Sequence, residues 1–251
     1  MSTATGMTST SRPETGAKKR RSTSANAKHF KLLVWLTALL AVSIALSGWK
    51  PLFPSDWIVE HILVAATFPI LWLLYRHLPL TAISWVGIFL FLYIHELGAH
   101  YTYSKVPYDT WTQSWFGLSL NQTFGWERNH FDRFVHFSYG LLLAVPFREI
   151  FVGWSGSRGF WSWFVPLDVV MSSSAFYELL EWGAALVFSE EVGTAYLGTQ
   201  GDVWDAHKDI TLAVLGGMIA LLIALIADAR RRKGEFWKDW RESLRVKSPK
   251  P

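Results

Sequence analysis

The chain has 251 residues, 51% of them hydrophobic, with 15 Trp, 17 Phe and no cysteine. It is too apolar for a typical soluble domain, and disulfide frameworks and thiolate chemistry are excluded. The net charge of +4 conceals a partition: residues 1–31 and 230–251 carry 16 of the 24 Lys and Arg and four acids, leaving 32–229 at a net −8.

The first 28 residues are basic, rich in Ser, Thr and Ala and poor in large apolar side chains, which is the composition of a disordered tail. Six apolar blocks follow, at about 30–48, 57–75, 80–98, 131–152, 160–188 and 210–228. Each approaches the roughly 20 residues that cross a hydrocarbon core about 30 Å thick. The first is longer than the roughly 7–15 apolar residues of a signal peptide, so it reads as an uncleaved anchor. The loop 99–130, rich in Trp and Tyr (Trp111, Trp115, Trp126), is expected to lie in the membrane interface as a lid. Pro146 and Pro166 fall inside spans and are expected to kink them.

These elements predict an all-α polytopic membrane protein: a six-transmembrane-helix bundle over 30–229 between basic tails at 1–29 and 230–251. Basic segments beside spans mark the cytoplasmic side, so both termini are expected to be cytoplasmic. Loops 49–56, 99–130 and 189–209 then lie outside. Topogenic charge explains the tails more simply than nucleic-acid binding, and no nucleic-acid partner is expected. There is no internal repeat and no inverted pair of broken helices.

On that topology the ionisable residues converge. Asp56, Glu60 and His61 open the second span, and His95, Glu96 and His100 close the third. His130, Asp132, Arg133 and His136 open the fourth. Glu178 and Glu181 lie in the outer half of the fifth, and Asp202, Asp205, His207 and Asp209 open the sixth. Five helix ends thus deliver acids and imidazoles to one level on the outer side. Spacings of three and four put Glu96/His100, Asp132/His136, Glu178/Glu181 and Asp202/Asp205/Asp209 each on one face, and Ser174 extends the fifth-span stripe.

A charge at mid-membrane costs about 2.5–3.5 kcal/mol even on the lenient insertion scale, so such residues face a bundle interior and have partners. Arg133 and Lys208 can neutralise two of these acids, and the surplus calls for a cation. Mixed His and carboxylate ligands suit zinc, iron or manganese, and helical bundles do hold metals between Glu and His of facing helices.

Plainer roles compete at several positions. Asp202 or Asp205 alone is most simply a helix N-cap, but a cap accounts for one acid of three. Asp132 could cap the fourth helix or pair with a neighbouring cation. His130 and His207 lie off the faces and read as solvated. Asp168, deeper in the fifth span, suits a structural hydrogen bond or a proton path. Glu178 and Glu181 have no capping role. Familiar motifs fail: "HELGAH" is one residue longer than H-E-x-x-H, and "GWSGS" at 153–157 does not match G-x-S-x-G.

The segments "GAHYTYSKVPYD", "RNHFDRFVHFSYG", "YELLEW" and "GTQGDVWDAHKD" together resemble the YjdF-like family of bacterial inner-membrane proteins. The resemblance covers roughly residues 30–230. It implies a multi-pass inner-membrane protein without an established activity. It gives counterparts to His95, His100, Asp132, His136, Glu178, Glu181, Asp202, Asp205 and Asp209, and none to Glu96 or His207.

The expectation is a metal-dependent membrane hydrolase acting on a lipid or lipid-linked substrate at the extracytoplasmic face. One or two divalent ions would be held by His95, His100, Asp132, His136, Glu178 and Glu181, with Asp202, Asp205 and Asp209 as further ligands or their supports. Glu178 or Glu181 would act as general base, and Arg133 would bind an anionic group such as a lipid head. The amphiphilic substrate would arrive laterally from membrane lipids beneath the lid. The alternatives are a cation or proton-coupled transporter using the same acids, and a non-catalytic membrane protein.

Overall fold

The computed structural model describes residues 15–187 and 199–245, with side chains from Lys28 onward. All regular structure among these residues is helical. Helix α1 spans Thr15–Ser47, α2 Pro54–His77, α3 Ala82–Tyr101, α4 Tyr108–Phe116, α5 Leu120–Phe124, α6 Phe131–Ser155, α7 Trp161–Val187, α8 Asp205–Arg232 and α9 Gly234–Ser243. Five helices are long and apolar enough to cross a membrane: Lys28–Ser47 of α1, then α2, α3, α6 and α8. The fifth apolar block of the sequence forms α7, which is 27 residues long but carries Asp168, four serines and two glutamates.

Local sequence explains the helix limits. Pro54 opens α2, where its missing N–H is no loss, and Arg76 and His77 close it against the negative end of the helix dipole. The Thr81 side chain caps α3 by accepting from Ser84 N at 3.3 Å. Pro146 and Pro166 are fully buried inside α6 and α7, which continue through them.

Helix α1 begins at Thr15, well before the apolar block. The basic C-terminal stretch forms α9, which folds back onto the start of α7. Phe236 is buried, Trp240 packs edge-on against Phe160, and Arg232 pairs with Asp239. Ser243 accepts at its Oγ from Phe160 N and at its carbonyl from Trp161 Nε1, both at 2.9 Å.

Two glycines set the tightest helix pair. A Cβ at Gly140 of α6 would sit 1.8 Å from the Ala213 carbonyl oxygen, and one at Gly216 of α8 would sit 2.2 Å from that of Phe137. Small residues let α6 and α8 approach backbone to backbone, the usual way membrane helices gain contact without a hydrophobic drive between them. Below this crossing, Ala144, Trp163, Val170, Ala213, Ala220 and Leu221 form the main apolar core. The outer faces carry bare apolar side chains such as Trp35, Ile62, Ile83 and Ile223, each more than 60% exposed. Water would not tolerate such faces, whereas lipid matches them.

The long loop is two short helices under an aromatic sheet. Trp111 stacks on Trp115, and Trp126 stacks on Phe124 and on His130. Trp115, Phe116 and Phe124 are exposed.

Candidate functional site

The starts of α2, α6 and α8, the end of α3 and the outer part of α7 meet at one level, and most of the predicted acids and imidazoles meet with them. Helix α8 begins at Asp205, not before it. Asp202 therefore lies in the preceding turn, where its Oδ1 accepts from Trp204 N at 3.1 Å. The expected stripe of three acids is a correction of fact: Asp205 and Asp209 share a buried helical face, while Asp202 sits apart and partly exposed.

The cations of the site are committed to that end. Arg128 Nη1 and Nη2 donate to Asp205 Oδ1 and Oδ2 at 2.7 and 3.1 Å. Arg133 Nη2 donates to Asp202 Oδ2 at 2.5 Å and to Asp205 Oδ1 at 3.2 Å, and Lys208 Nζ reaches Asp202 Oδ2 at 2.5 Å. Lys208, with the Trp204 backbone and Arg133, holds the Asp202 carboxyl far below the usual carboxylate range. Burial, with Arg133 and Arg128 nearby, pushes His130 below the ordinary imidazole value. Arg133 is thus engaged by two carboxylates. Arg128 was missed: as a lone Arg in a loop it carries no helical spacing to mark it.

Deeper in, carboxylates outnumber partners. Asp132, Asp205 and Asp209, all buried, bring ligand-capable atoms within 4.8 Å of one another. Asp209 Oδ1 and Glu178 Oε1 are buried without a hydrogen-bond donor. Glu181 is buried too, within electrostatic reach of Asp132, Glu178, Glu60 and Asp209. Glu60 of α2 joins the group from the far side, accepting from Tyr177 OH at 3.2 Å.

His136 stands in the middle. Its Nε2 lies 3.2 Å from Glu178 Oε1, out of line for a hydrogen bond, and 3.9 Å from Asp132 Oδ1. Its Nδ1 meets Ser174 Oγ at 3.3 Å. His95 faces the same space: Nδ1 pairs with Tyr103 OH at 2.6 Å, and the buried Nε2 has no partner.

His100 does not join them. Its Nδ1 donates to the Ser47 carbonyl at 2.8 Å, and its ring lines a separate groove between α1 and α3. His95 and His100 are five positions apart, which turns them to different faces of a regular helix. Glu96 belongs to that second group, accepting from Ser47 Oγ at 2.5 Å and facing His61 Nε2 at 3.1 Å. Asp56 accepts from Thr102 Oγ1 at 2.8 Å, and His207 and Asp168 are exposed.

Between α2 and α7, floored by α3 and α6, lies a chamber of about 190 Å³. Its polar end presents His95, Asp132, His136, Ser174 and Tyr177, and Leu63, Val64, Phe91, Leu92 and Val135 line the rest. Tyr139 OH and Ser173 Oγ, 2.6 Å apart, mark its inner limit of polarity.

Residues 32–230 match the family described as "Predicted membrane protein (DUF2238)". The chain is 37% identical over 195 residues to "Inner membrane protein YjdF" of Escherichia coli (strain K12), covering 76% of this chain and 89% of that protein. No solved structure matches the chain. With its several apolar spans it is a multi-pass protein of the inner membrane. The chain belongs to the DUF2238 family of membrane proteins.

Proposed function

We propose that this protein is a metal-dependent hydrolase of the inner membrane, working at the extracytoplasmic face on a lipid or lipid-linked amphiphile. Six spans, with α7 as the fifth, and cytoplasmic termini complete the reading. The basic ends of α8 and α1 support that orientation.

One observation carries it: the close approach of Asp132, Asp205 and Asp209, with a buried oxygen of Asp209 lacking any donor. Carboxylates so placed in low dielectric repel one another strongly unless a cation sits among them. Asp132 and Asp209 offer the free oxygens, and Asp205, held by two guanidinium groups, fixes the third position. Glu178 and Glu181, within electrostatic reach of Asp132 and Asp209, would supply further ligands or their supports for zinc, iron or manganese. Such an ion would polarise a substrate carbonyl and lower the pKa of bound water, and Glu178 or Glu181 would take a proton. The apolar chamber wall suits a chain entering from the bilayer.

A cation transporter would need polar groups continuing inward. Below Tyr139 and Ser173 the bundle is closed by Ala144, Val170, Ala213, Ala220 and Leu221, which favours a one-sided site. The test is elemental analysis of the purified protein beside the Asp132→Asn/Asp209→Asn double variant. Stoichiometric metal in the wild type and its loss in the variant are expected. Metal-free wild type purified without chelator would refute the reading.

A further inference from the structure

Ser174 is almost fully buried in α7, yet it lines the chamber, and its hydroxyl meets the ring of His136 across the interface with α6. The two imidazole nitrogens face opposite surroundings. Nε2 looks onto Glu178 and Asp132, at 3.2 and 3.9 Å, and Nδ1 onto the hydroxyl alone, at 3.3 Å. Acceptor-only carboxylates beside Nε2 favour the tautomer that carries its hydrogen there. Nδ1 is then left as a lone-pair acceptor aimed at the serine. Nucleophile and base are thereby paired, with the Glu178 carboxylate beside the second ring nitrogen but out of line for a hydrogen bond in this structure.

We infer that Ser174 is a catalytic nucleophile, activated by His136, that cleaves a carboxylic ester or amide of a single-chain amphiphile. This rests on the hydrolase reading and names its attacking atom. Oγ bonds to the carbonyl carbon while its proton passes to His136 Nδ1, and the carbonyl π pair moves to oxygen. The carbonyl re-forms as the bond to the leaving alcohol or amine breaks, and the leaving group takes the proton from Nδ1. Water then attacks the acyl-serine, losing a proton to Nδ1, and Oγ recovers that proton as the acid departs. A neutral carbonyl suits the chamber better than a phosphate. Both guanidinium groups of the site are engaged by Asp202 and Asp205, and none lines the chamber.

The test is covalent labelling of the full chain in lipid nanodiscs with a long-chain alkyl fluorophosphonate, the adduct being located by peptide mass. An adduct on Ser174 is expected in folded wild type and absent after heat denaturation. Labelling should fall at least tenfold in Ser174→Ala and His136→Gln and stay unchanged in Ser172→Ala, whose side chain faces outward. Melting curves of each variant report folding, and the mapped adduct on wild type stands whatever the variants do. No adduct on Ser174, or equal labelling in a folded His136→Gln, overturns the inference. Metal content is measured on the same samples. Stoichiometric metal without an adduct leaves the metal reading and refutes the nucleophile, whereas an adduct on metal-free protein does the reverse.

Discussion

Arg128, in the loop before α6, grips Asp205 in the first turn of α8 through both carboxylate oxygens. The same side chain donates to the Thr199 carbonyl at 2.8 Å, and neighbouring Asn129 exchanges hydrogen bonds with Gln200. The loop before α6 is thereby fastened to the segment that leads into α8. Arg128→Ala should destabilise the protein by about 3 kcal/mol, the lower end for breaking a buried pair, since the guanidinium keeps some solvent contact. Melting of the single and Arg128→Ala/Asp205→Ala double variants checks it: the double variant should recover part of the loss.

Metal removal should act on the inner acids. Like charges a few ångströms apart repel by on the order of several kcal/mol at an effective dielectric near 20. Chelator should therefore lower the melting temperature of wild type. The Glu178→Gln/Glu181→Gln variant should hold little metal and respond to chelator weakly. Asp202→Asn should retain its metal, because Asp202 is bound up with Arg133 and Lys208 outside the buried group.

His130 provides a pH readout at the start of α6. Its folded pKa lies below the unfolded value, so the folded protein binds fewer protons. Its contribution is full above the ordinary imidazole pKa and declines as pH falls through it. His130→Phe keeps the stacking on Trp126 without the titration. Melting measured from pH 8 to pH 5 should show wild type losing stability relative to the variant, and parallel curves would contradict this.

The charge partition predicts topology. Reporter fusions after Lys233 and within 189–201 should report cytoplasm and exterior respectively. The same side for both would dismantle the six-span arrangement.

Gly140→Val should force α6 and α8 apart, because its Cβ has backbone in its way. The expected cost is at or above the upper end of the roughly 1–3 kcal/mol typical of overpacking. Metal content should fall with it, as Asp132 leaves Asp205 and Asp209; thermal melting and elemental analysis read both.

Sequence alone determined where the long apolar helices run, that they belong in a membrane, and that acids and imidazoles gather at one set of helix ends. Apolar length and charge asymmetry are one-dimensional quantities, so they survive without coordinates. Faces within one helix were also legible: Asp132 with His136, and Glu178 with Glu181, do point into one cluster. Only the tertiary structure decided how each helix is rotated against its neighbours. That rotation turns His100 away beside Ser47, brings Ser174 to His136, and is set by contacts such as Gly140 on Ala213. It also brings Arg128 to Asp205, 77 residues away, a pairing no spacing rule can reach. The start of α8 at Asp205 separated Asp202 from its expected stripe, because a turn before the helix satisfied Asp202 with Arg133, Lys208 and the Trp204 backbone. Periodicity fixes angles within a helix, while close packing between helices fixes which of those angles meet.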